Sequence, residues 1–599
     1  MTETLVSRRD LDFLLFEWLR VDALLERERF AEHSVATFKD VLALSEQIAT
    51  THFAPHNRKG DLEEPRLVDG EVHLLPEIAP ALRAYAEAGL VGATMDHAVG
   101  GFQLPQTVFD ACTAWFYAAN MSTAAYNLLT IGNANLLLAH GTPEQVETFV
   151  VPMVEGRYFG TMALSEPQAG SSLADITTRA VPQADGSYRL FGDKMWISGA
   201  DHRMGENIVH LVLAKAPGGG PGTRGISLFI VPKVLTGAAG APGVHNDVVV
   251  TGLNHKMGAR GTVNTVLALG DGTHSPGGQP GAIGYLVGEE HRGLSYMFHM
   301  MNEARVGIGL SGAALGYTGY LKSLAYARSR PQGRPLGQGN PDSPQVPLVE
   351  HVDVRRMLLT QKSYVEGALA LVLYCGRLLD EERSAPDPAA RERAAALLGL
   401  LTPIAKSWPA QWCLRANELA IQVHGGAGYT RDYDVEQHYR DNRLNPIHEG
   451  THGIQALDLL NRKVVGDGGA ALGLLAGLVE ETAARATAAS VPELGALAAD
   501  LTRDWERLAE VSRRLAEVSD PAERSANASV YLEAAGHLVV AWIWLEQALA
   551  TAGREEPFYR GKRAAAAHFF SHELPHARAQ LELLMHNRSP ALAVHADEL

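Results

Sequence analysis

A chain of 599 residues that is 46% hydrophobic and 20% charged exceeds the usual size of one hydrophobic core, so several packed domains are expected. A formal charge of −16 and a pI of about 5.8 disfavour non-specific binding to nucleic acid or anionic lipid, though a local basic pocket could still hold phosphates. Cys112, Cys375 and Cys413 lie far apart without Cys-x-x-Cys spacing, which argues against a disulfide framework or thiolate metal site and for three reduced, buried thiols.

The first apolar run follows Arg8, Arg9 and Asp10 and is cut by Glu17, so it does not read as a signal peptide; residues 1–33 are taken as a helical extension. From 34 to 156 apolar residues recur at helical spacing, broken by Gly100-Gly101 and by the Gly141-Thr142-Pro143 cap, which predicts a helical domain. Between 157 and 290 the pattern turns to short β-branched and aromatic runs: 158–164, 188–191, 208–214, 226–231, 248–251, 263–269 and 283–287. Gly/Pro-rich breaks at Pro217–Gly225 and Gly237–Gly243 separate them, predicting an antiparallel β domain. Helical periodicity returns over 291–465, interrupted by a Pro/Gly-rich loop at 331–347, and an Ala/Leu/Glu/Arg-rich segment, 466–599, reads as an additional helical domain. The apolar stretch Leu538–Leu545 is stopped by Glu546 and Gln547, too short for a bilayer span, so no membrane insertion and a cytoplasmic location are expected. The class is α+β, without the βαβ alternation of a nucleotide-binding parallel sheet.

Three motifs invite misreading. Gly220/Gly222/Gly225 and Gly307/Gly309/Gly312 both satisfy Gly-x-Gly-x-x-Gly. The first joins two predicted strands and the second sits inside a helical run, so a hairpin loop and a close helix-packing face are expected rather than dinucleotide loops. His448-Glu449-Gly450-Thr451-His452 matches the zinc-protease pattern. That chemistry needs both imidazoles on one helix face, whereas Pro446 and Gly450 predict a loop entering a helix at Thr451, so no metal is expected.

Other stretches fall into a series. They are 96–101 (DHAVGG), 163–172 (ALSEPQAGSS), 194–199 (KMWISG), 422–429 (QVHGGAGY) and 439–441 (YRD) leading to 447–451 (IHEGT). In this order they resemble the acyl-CoA dehydrogenase family over about 80–465, and the overall length resembles its long bacterial branch of broad-specificity and methylmercaptopropionyl-CoA dehydrogenases. The resemblance implies a helical domain, a β domain and a C-terminal four-helix bundle, with the last segment as an appendix.

It also implies an enzyme that removes two hydrogens across the α,β carbons of an acyl-CoA thioester to give a trans-2-enoyl-CoA. FAD is the implied cofactor and an electron-transfer flavoprotein the implied acceptor. Glu449 is the implied base, with its backbone N–H and a ribityl hydroxyl on the thioester oxygen. Around FAD the implied contacts are the backbone at Met162 and Leu164, the Ser165 hydroxyl, Ser171 near the phosphates, and Trp196 and Ser198 at the ring. Arg330, Gln422, Gly425 and Gly426 are implied for the adenosine half across a subunit boundary, and Thr451 beside the base. Ser171, Arg305 and Gly450 are implied near the substrate.

These residue types suit the task. Glycines let a backbone approach phosphates, Arg330 offers a bidentate fork, and a carboxylate beside an apolar acyl chain gains basicity from burial. Alternatives stay open: Arg328 or Arg334 for Arg330, a plain ion pair with Glu303 for Arg305, and Glu303 as a base on the earlier helix. Val352 stands near where the family often has a glutamine. An acyl-CoA oxidase shares this fold and base. Some relatives bind DNA through a basic C-terminal domain, which the acid-rich segment here disfavours, so no nucleic-acid partner is expected. A homodimer is expected, with the appendix occupying surface that shorter relatives use to tetramerise.

Overall fold

The computed structural model describes residues 5–235, 243–337, 340, 342–489 and 491–599, so the predicted break at Gly237–Gly243 lies, apart from Gly243, outside the described residues. The longer helices are α1 (Val35–Ile48), α2 (Ile78–Glu87), α3 (Gln106–His140), α4 (Gly293–Ser329), α5 (Val352–Ser384), α6 (Pro388–His424), α7 (Val435–Asn442), α8 (His452–Leu457), α9 (Ala470–Ala488), α10 (Pro492–Glu517), α11 (Ala528–Ala550), α12 (Pro557–His568) and α13 (Leu574–His586). The strands are β1 (Arg66–Val68), β2 (Glu71–His73), β3 (Tyr158–Ala163), β4 (Arg179–Pro182), β5 (Tyr188–Ser198), β6 (Asn207–Lys215), β7 (Ile226–Pro232), β8 (Val248–Leu253), β9 (Asn264–Leu269) and β10 (Ala282–Leu286). They fall into two compact units, one of 40–104 and 119–304, the other of 1–39, 105–118 and 305–599.

The first unit is built around the sheet. Strand order runs β10-β7-β6-β4-β5-β9-β8, and β10 pairs with β5 at one end (Ala282 with Leu190) and β7 at the other (Tyr285 with Ile230), closing these strands into a ring. The pairing is antiparallel as the short alternating runs predict, except around β6, which β3 pairs in parallel, Tyr158 opposite Asn207 through Ala163 opposite Val212, and which β4 meets in parallel at Arg179 opposite Lys215. β6 is buried on both faces, and its alternation sorts two cores: Val209, Leu211 and Leu213 pack with Ala134, Leu137, Met297 and Met300 from the helices, while Val212 and Ala214 pack with Phe229, Leu267 and Ala282 inside the ring. The Gly220/Gly222/Gly225 segment is the β6–β7 connection. Two elements escape the periodicity: β4, a four-residue strand ending at Pro182, and the β1–β2 hairpin, too short to alternate.

α3 is broken at Asn120, whose extended backbone (φ −165°, ψ 90°) interrupts the helix without any Gly or Pro. Its side chain replaces the lost ladder bonds, donating to the Phe53 carbonyl (3.2 Å) and accepting from the Thr123 N–H (3.1 Å), as a helix N-cap does.

In the second unit α4, α5 and α6 are long helices, and the glycine run 307/309/312 is the packing face expected of it. A Cβ at Gly309 would lie 1.9 Å from the Ala405 carbonyl on α6. That carbonyl has no helix-ladder donor because Pro409 lacks an N–H, so only a backbone without a side chain approaches it. The N-terminal extension and the appended helices share this interior. Lys562 of α12 is fully buried and paired with Asp10 of the extension and Glu366 of α5 (2.9 Å), its third hydrogen going to Gln547 of α11 (3.0 Å). α11 is long and apolar enough to cross a membrane, but 83% of its most apolar window is buried within this unit, so its composition is that of a core helix.

Candidate functional site

The turn between α7 and α8 concentrates the unusual chemistry. Pro446 and Gly450 stop regular structure, and Thr451 starts α8 by accepting the Ile454 N–H (3.3 Å), which is the helix entry the sequence predicts. Between them Glu449 (φ +52°) and Gly450 (φ +86°) are consecutive left-handed residues. For a glutamate that conformation is strained and persists only where surroundings impose it. Gln455 donates to the carbonyls of Glu449 (3.1 Å) and Gly450 (3.4 Å), and a Cβ at Gly450 would lie 2.4 Å from that amide nitrogen, so glycine is required there twice over. The N–H of Glu449 donates to no protein acceptor among the described residues.

Burial pushes the Glu449 carboxyl above the ordinary glutamate range, and Lys406 and Arg305 oppose that rise. Arg305 is buried on α4 and paired with Asp458 beyond α8 (2.9 Å), a carboxylate that the sequence does not point to. Glu303 accepts from Asn135 (3.0 Å) and faces His299. The zinc-protease reading fails on geometry: α8 begins only at His452, His448 bonds Asn445 (3.1 Å), and His452 faces Glu533 of α11 (3.5 Å), so the two imidazoles share no helix face.

Lys406 is the residue that sequence reading missed. It is fully buried on α6 and donates to the carbonyls of Asn445 (2.8 Å) and Gly450 (2.6 Å), bracketing Glu449. Desolvation lowers its pKa to about 7, against the pull of Glu449 and with the push of Arg305. Its place inside an apolar helical run was the available signal.

At the far end of α4 and α6, Tyr326 stacks on His424 (4.3 Å between centroids), bringing the two helix ends together. Arg330, one turn past Tyr326, and Gln422 are exposed, and Arg330 has no side-chain partner among the described residues. Arg334 is held by the Ser343 carbonyl (2.6 Å) and Arg328 is exposed. Gly425 (φ +60°) and Gly426 have open space where a Cβ would stand, a bare backbone that a phosphate could approach.

In the sheet unit the Ser-Glu-Pro stretch is pinned by Glu166, missed as a structural anchor. It accepts from Thr177 and Thr178 through both N–H and hydroxyl groups and pairs with fully buried Lys194 (2.9 Å). Burial favours its neutral form, but the Lys194 charge and these hydrogen bonds prevail and hold its pKa at about 2. Lys194 also donates to the Leu164 carbonyl (3.0 Å), occupying one of its two lone pairs. Met162 lies on β3, an edge strand, where every second residue's backbone groups face away from β6. Ser165 is half-buried and its carbonyl accepts the Met195 N–H (3.0 Å); Ser171 is exposed. Trp196 sits at a β-bulge with φ +67° and 58% exposure, while Ser198 on the same strand accepts from Asn264 (3.0 Å). A bulky aromatic held left-handed and outward from a sheet is a flat platform bought with backbone strain, which suits a planar ring cofactor.

Comparison with known proteins decides the family. Residues 161–271 match the acyl-CoA dehydrogenase middle domain, 291–464 its C-terminal domain, and 475–595 the acetyl-CoA dehydrogenase C-terminal-like domain. The chain is 35% identical to 3-methylmercaptopropionyl-CoA dehydrogenase of Ruegeria pomeroyi, over 96% of each chain. It is equally 35% identical to the broad-specificity linear acyl-CoA dehydrogenase FadE5 of Mycobacterium tuberculosis, over 95% of each. It belongs to the acyl-CoA dehydrogenase family. Members are oxidoreductases acting on CH–CH bonds, and FAD is the family's cofactor. An acyl-CoA dehydrogenase of Bacillus anthracis solved with FAD shares the fold at a TM-score of 0.73 and 19% identity, with 98% of this chain and 95% of that one covered. The domain that the sequence marks as an appendix is thus a recognised part of the long relatives.

Proposed function

We propose that the protein dehydrogenates acyl-CoA thioesters between the α and β carbons, with Glu449 as the base and an electron-transfer flavoprotein as the acceptor. The observation that carries this reading is the strained Glu449–Gly450 turn, which presents a desolvated carboxyl with two cations behind it. Of the residues that family resemblance implies for FAD, Met162, Leu164, Ser165, Ser171, Trp196 and Ser198 would hold it on the sheet unit, and Arg330, Gln422, Gly425, Gly426 and Thr451 are those the helical unit would offer, the adenosine contacts to a second subunit. When bound, FAD supplies the two-electron acceptor for the β-hydride.

An α-proton on a thioester is weakly acidic, so the chain must both take the proton and stabilise the enolate that forms. Glu449 takes it: its raised pKa gives a carboxylate more basic than one in water. Its unspent backbone N–H is the donor for the thioester oxygen, and Gln455 holds the two peptides that follow it through the carbonyls of Glu449 and Gly450. Arg305 and Lys406 oppose the rise that burial imposes on the carboxyl and so favour its ionised form. A homodimer would bring a second chain to the exposed Arg330, Gln422 and Gly425-Gly426 face.

The test is Glu449→Gln, which preserves shape and removes the base. Purified protein should retain a yellow flavin spectrum and bind butyryl-CoA, while bleaching by that thioester slows by about 10⁴-fold, the upper range for general-base catalysis. Turnover within tenfold of the unsubstituted enzyme rejects Glu449 as the base. Hydrogen peroxide formed in step with the enoyl product would replace the flavoprotein acceptor by oxygen.

A further inference from the structure

Buried lysines are uncommon, because an ammonium must recover in hydrogen bonds what it loses in hydration. Lys406 lies on α6 between Pro403 and Pro409, on the turn of helix whose Ala405 carbonyl abuts Gly309. α4 and α6 are therefore in backbone contact beside it, and its Cα has little freedom to move. From this fixed point the side chain reaches the Asn445 and Gly450 carbonyls, which lie on either side of Glu449. Asn445 is itself tied to Asn442 (3.0 Å) and accepts from His448 (3.1 Å). Lys406 is thus the one charged donor, among the described residues, that grips both ends of the turn. The charged groups that act on it are Glu449 in the turn and Arg305 on α4, which is itself committed to Asp458 beyond α8.

We propose that Lys406 is a positioning residue for the base: by clamping the carbonyls of Asn445 and Gly450 it holds Glu449 in its left-handed conformation. The inference rests on Glu449 being the base. A plain structural lysine would be expected to pair with a carboxylate or to reach solvent. Lys406 instead spends two hydrogens on the peptide carbonyls that bracket one acid, and its charge acts on that same acid. The hydrogen bonds orient the acid, and the charge opposes the rise in its pKa that burial causes.

The experiment uses flavin-loaded enzyme with butyryl-CoA as probe. Lys406→Met keeps the length of the side chain and removes its donors and charge. The expected result is a protein that retains flavin, a kcat lower by about 100-fold, as for a misplacement of the reacting group by about 1 Å, and a KM changed less than threefold. The acid limb of the kcat profile should move to higher pH, because the cation that lowers the Glu449 pKa has gone. Amide hydrogen exchange over 444–456, read by mass spectrometry, should quicken while the rest of α6 stays as protected as before.

Lys406→Gln covers the case in which the methionine variant does not fold. Its amide can still donate to the two carbonyls, so kcat should fall by less than tenfold while the acid limb still moves up. A kcat within twofold of the unsubstituted enzyme in Lys406→Met, or an acid limb that stays in place in either variant, overturns the proposal. Glu449→Gln separates the two readings: if it is active the base assignment fails, whereas if it is inactive and both Lys406 variants behave as the unsubstituted enzyme, only the role of Lys406 fails.

Discussion

Replacing Lys562 with methionine tests whether the extension, the bundle and the appended helices share one charged core. All three ammonium hydrogens are used, on Asp10, Glu366 and Gln547, and the side chain is fully buried with Phe13 (5.1 Å) and Trp544 (5.5 Å) over it. Methionine fills much the same volume, so the loss is electrostatic. Glu366 keeps Lys362, but among the described residues Asp10 is left with the Tyr317 hydroxyl (2.9 Å) as its side-chain donor and with Lys362 as a more distant charge. Stranding one partner of a buried pair costs about 3–5 kcal/mol. The unit concerned has about 350 residues, and at about 2.1 cal/mol/K of unfolding entropy per residue its melting point should fall by roughly 4–7 °C.

The loss should depend on pH with a definite sign. Burial and Glu366 already hold Asp10 above the ordinary carboxylate range. Removing the lysine raises it further, so the folded variant binds a proton that the unfolded chain releases, and stability falls as pH rises through that range. Differential scanning fluorimetry at pH 5.5 and pH 8 should show the larger deficit at pH 8, and adding Asp10→Asn should restore part of it. A drop below about 1 °C, or a larger deficit at pH 5.5, refutes the reasoning.

Gly309→Ala should drive α4 and α6 apart at the Ala405 carbonyl and destabilise by about 3 kcal/mol, read as a lower urea midpoint. Trp196→Gly relieves the left-handed strain of about 1 kcal/mol but removes the exposed indole. The apoprotein should melt no lower than the unsubstituted one, while flavin is lost more readily on dialysis. Glu166→Gln leaves Lys194 buried against a neutral partner and should destabilise by about 3–5 kcal/mol at pH 7. Because the folded pKa of Glu166 is depressed to about 2, its contribution is present above the unfolded value and is lost as pH falls from there toward 2. The gap between variant and unsubstituted protein in urea midpoint should therefore narrow on acidification between pH 5 and pH 2.

What could be read from sequence was local chemistry. Gly450 and Thr451 announce a tight turn and a helix cap by themselves, and the structure puts both where that chemistry predicts. The strands of the middle region follow from alternation, and the glycine run on α4 from its helical setting. The β-bulge at Trp196 was not legible, since nothing in Lys-Met-Trp-Ile-Ser marks one residue as left-handed. Nor was the break at Asn120, where a side-chain hydrogen bond to Phe53 does the work usually signalled by Gly or Pro.

Lys406 and Lys562 show the deeper limit. In sequence Lys562 stands in Arg-Gly-Lys-Arg and looks like a solvated basic face, yet its partner Asp10 lies at the other end of the chain. Lys406 finds its acceptors only when α6 packs behind the turn before α8. Periodicity places a residue on a face of its own helix but does not say what that face meets.

The burial of α11 bears on how the chain is made. This is the segment that most resembles a bilayer span, yet it packs against α5, α6, α8, α9 and α10, all of which precede it. Domains fold as their segments become available during synthesis from the N-terminus, so these partners are in place first, while the most extensive contact of α11, with α13, and that with α12 must follow it. The same helix placed early would wait unshielded, open to aggregation or to membrane-targeting machinery.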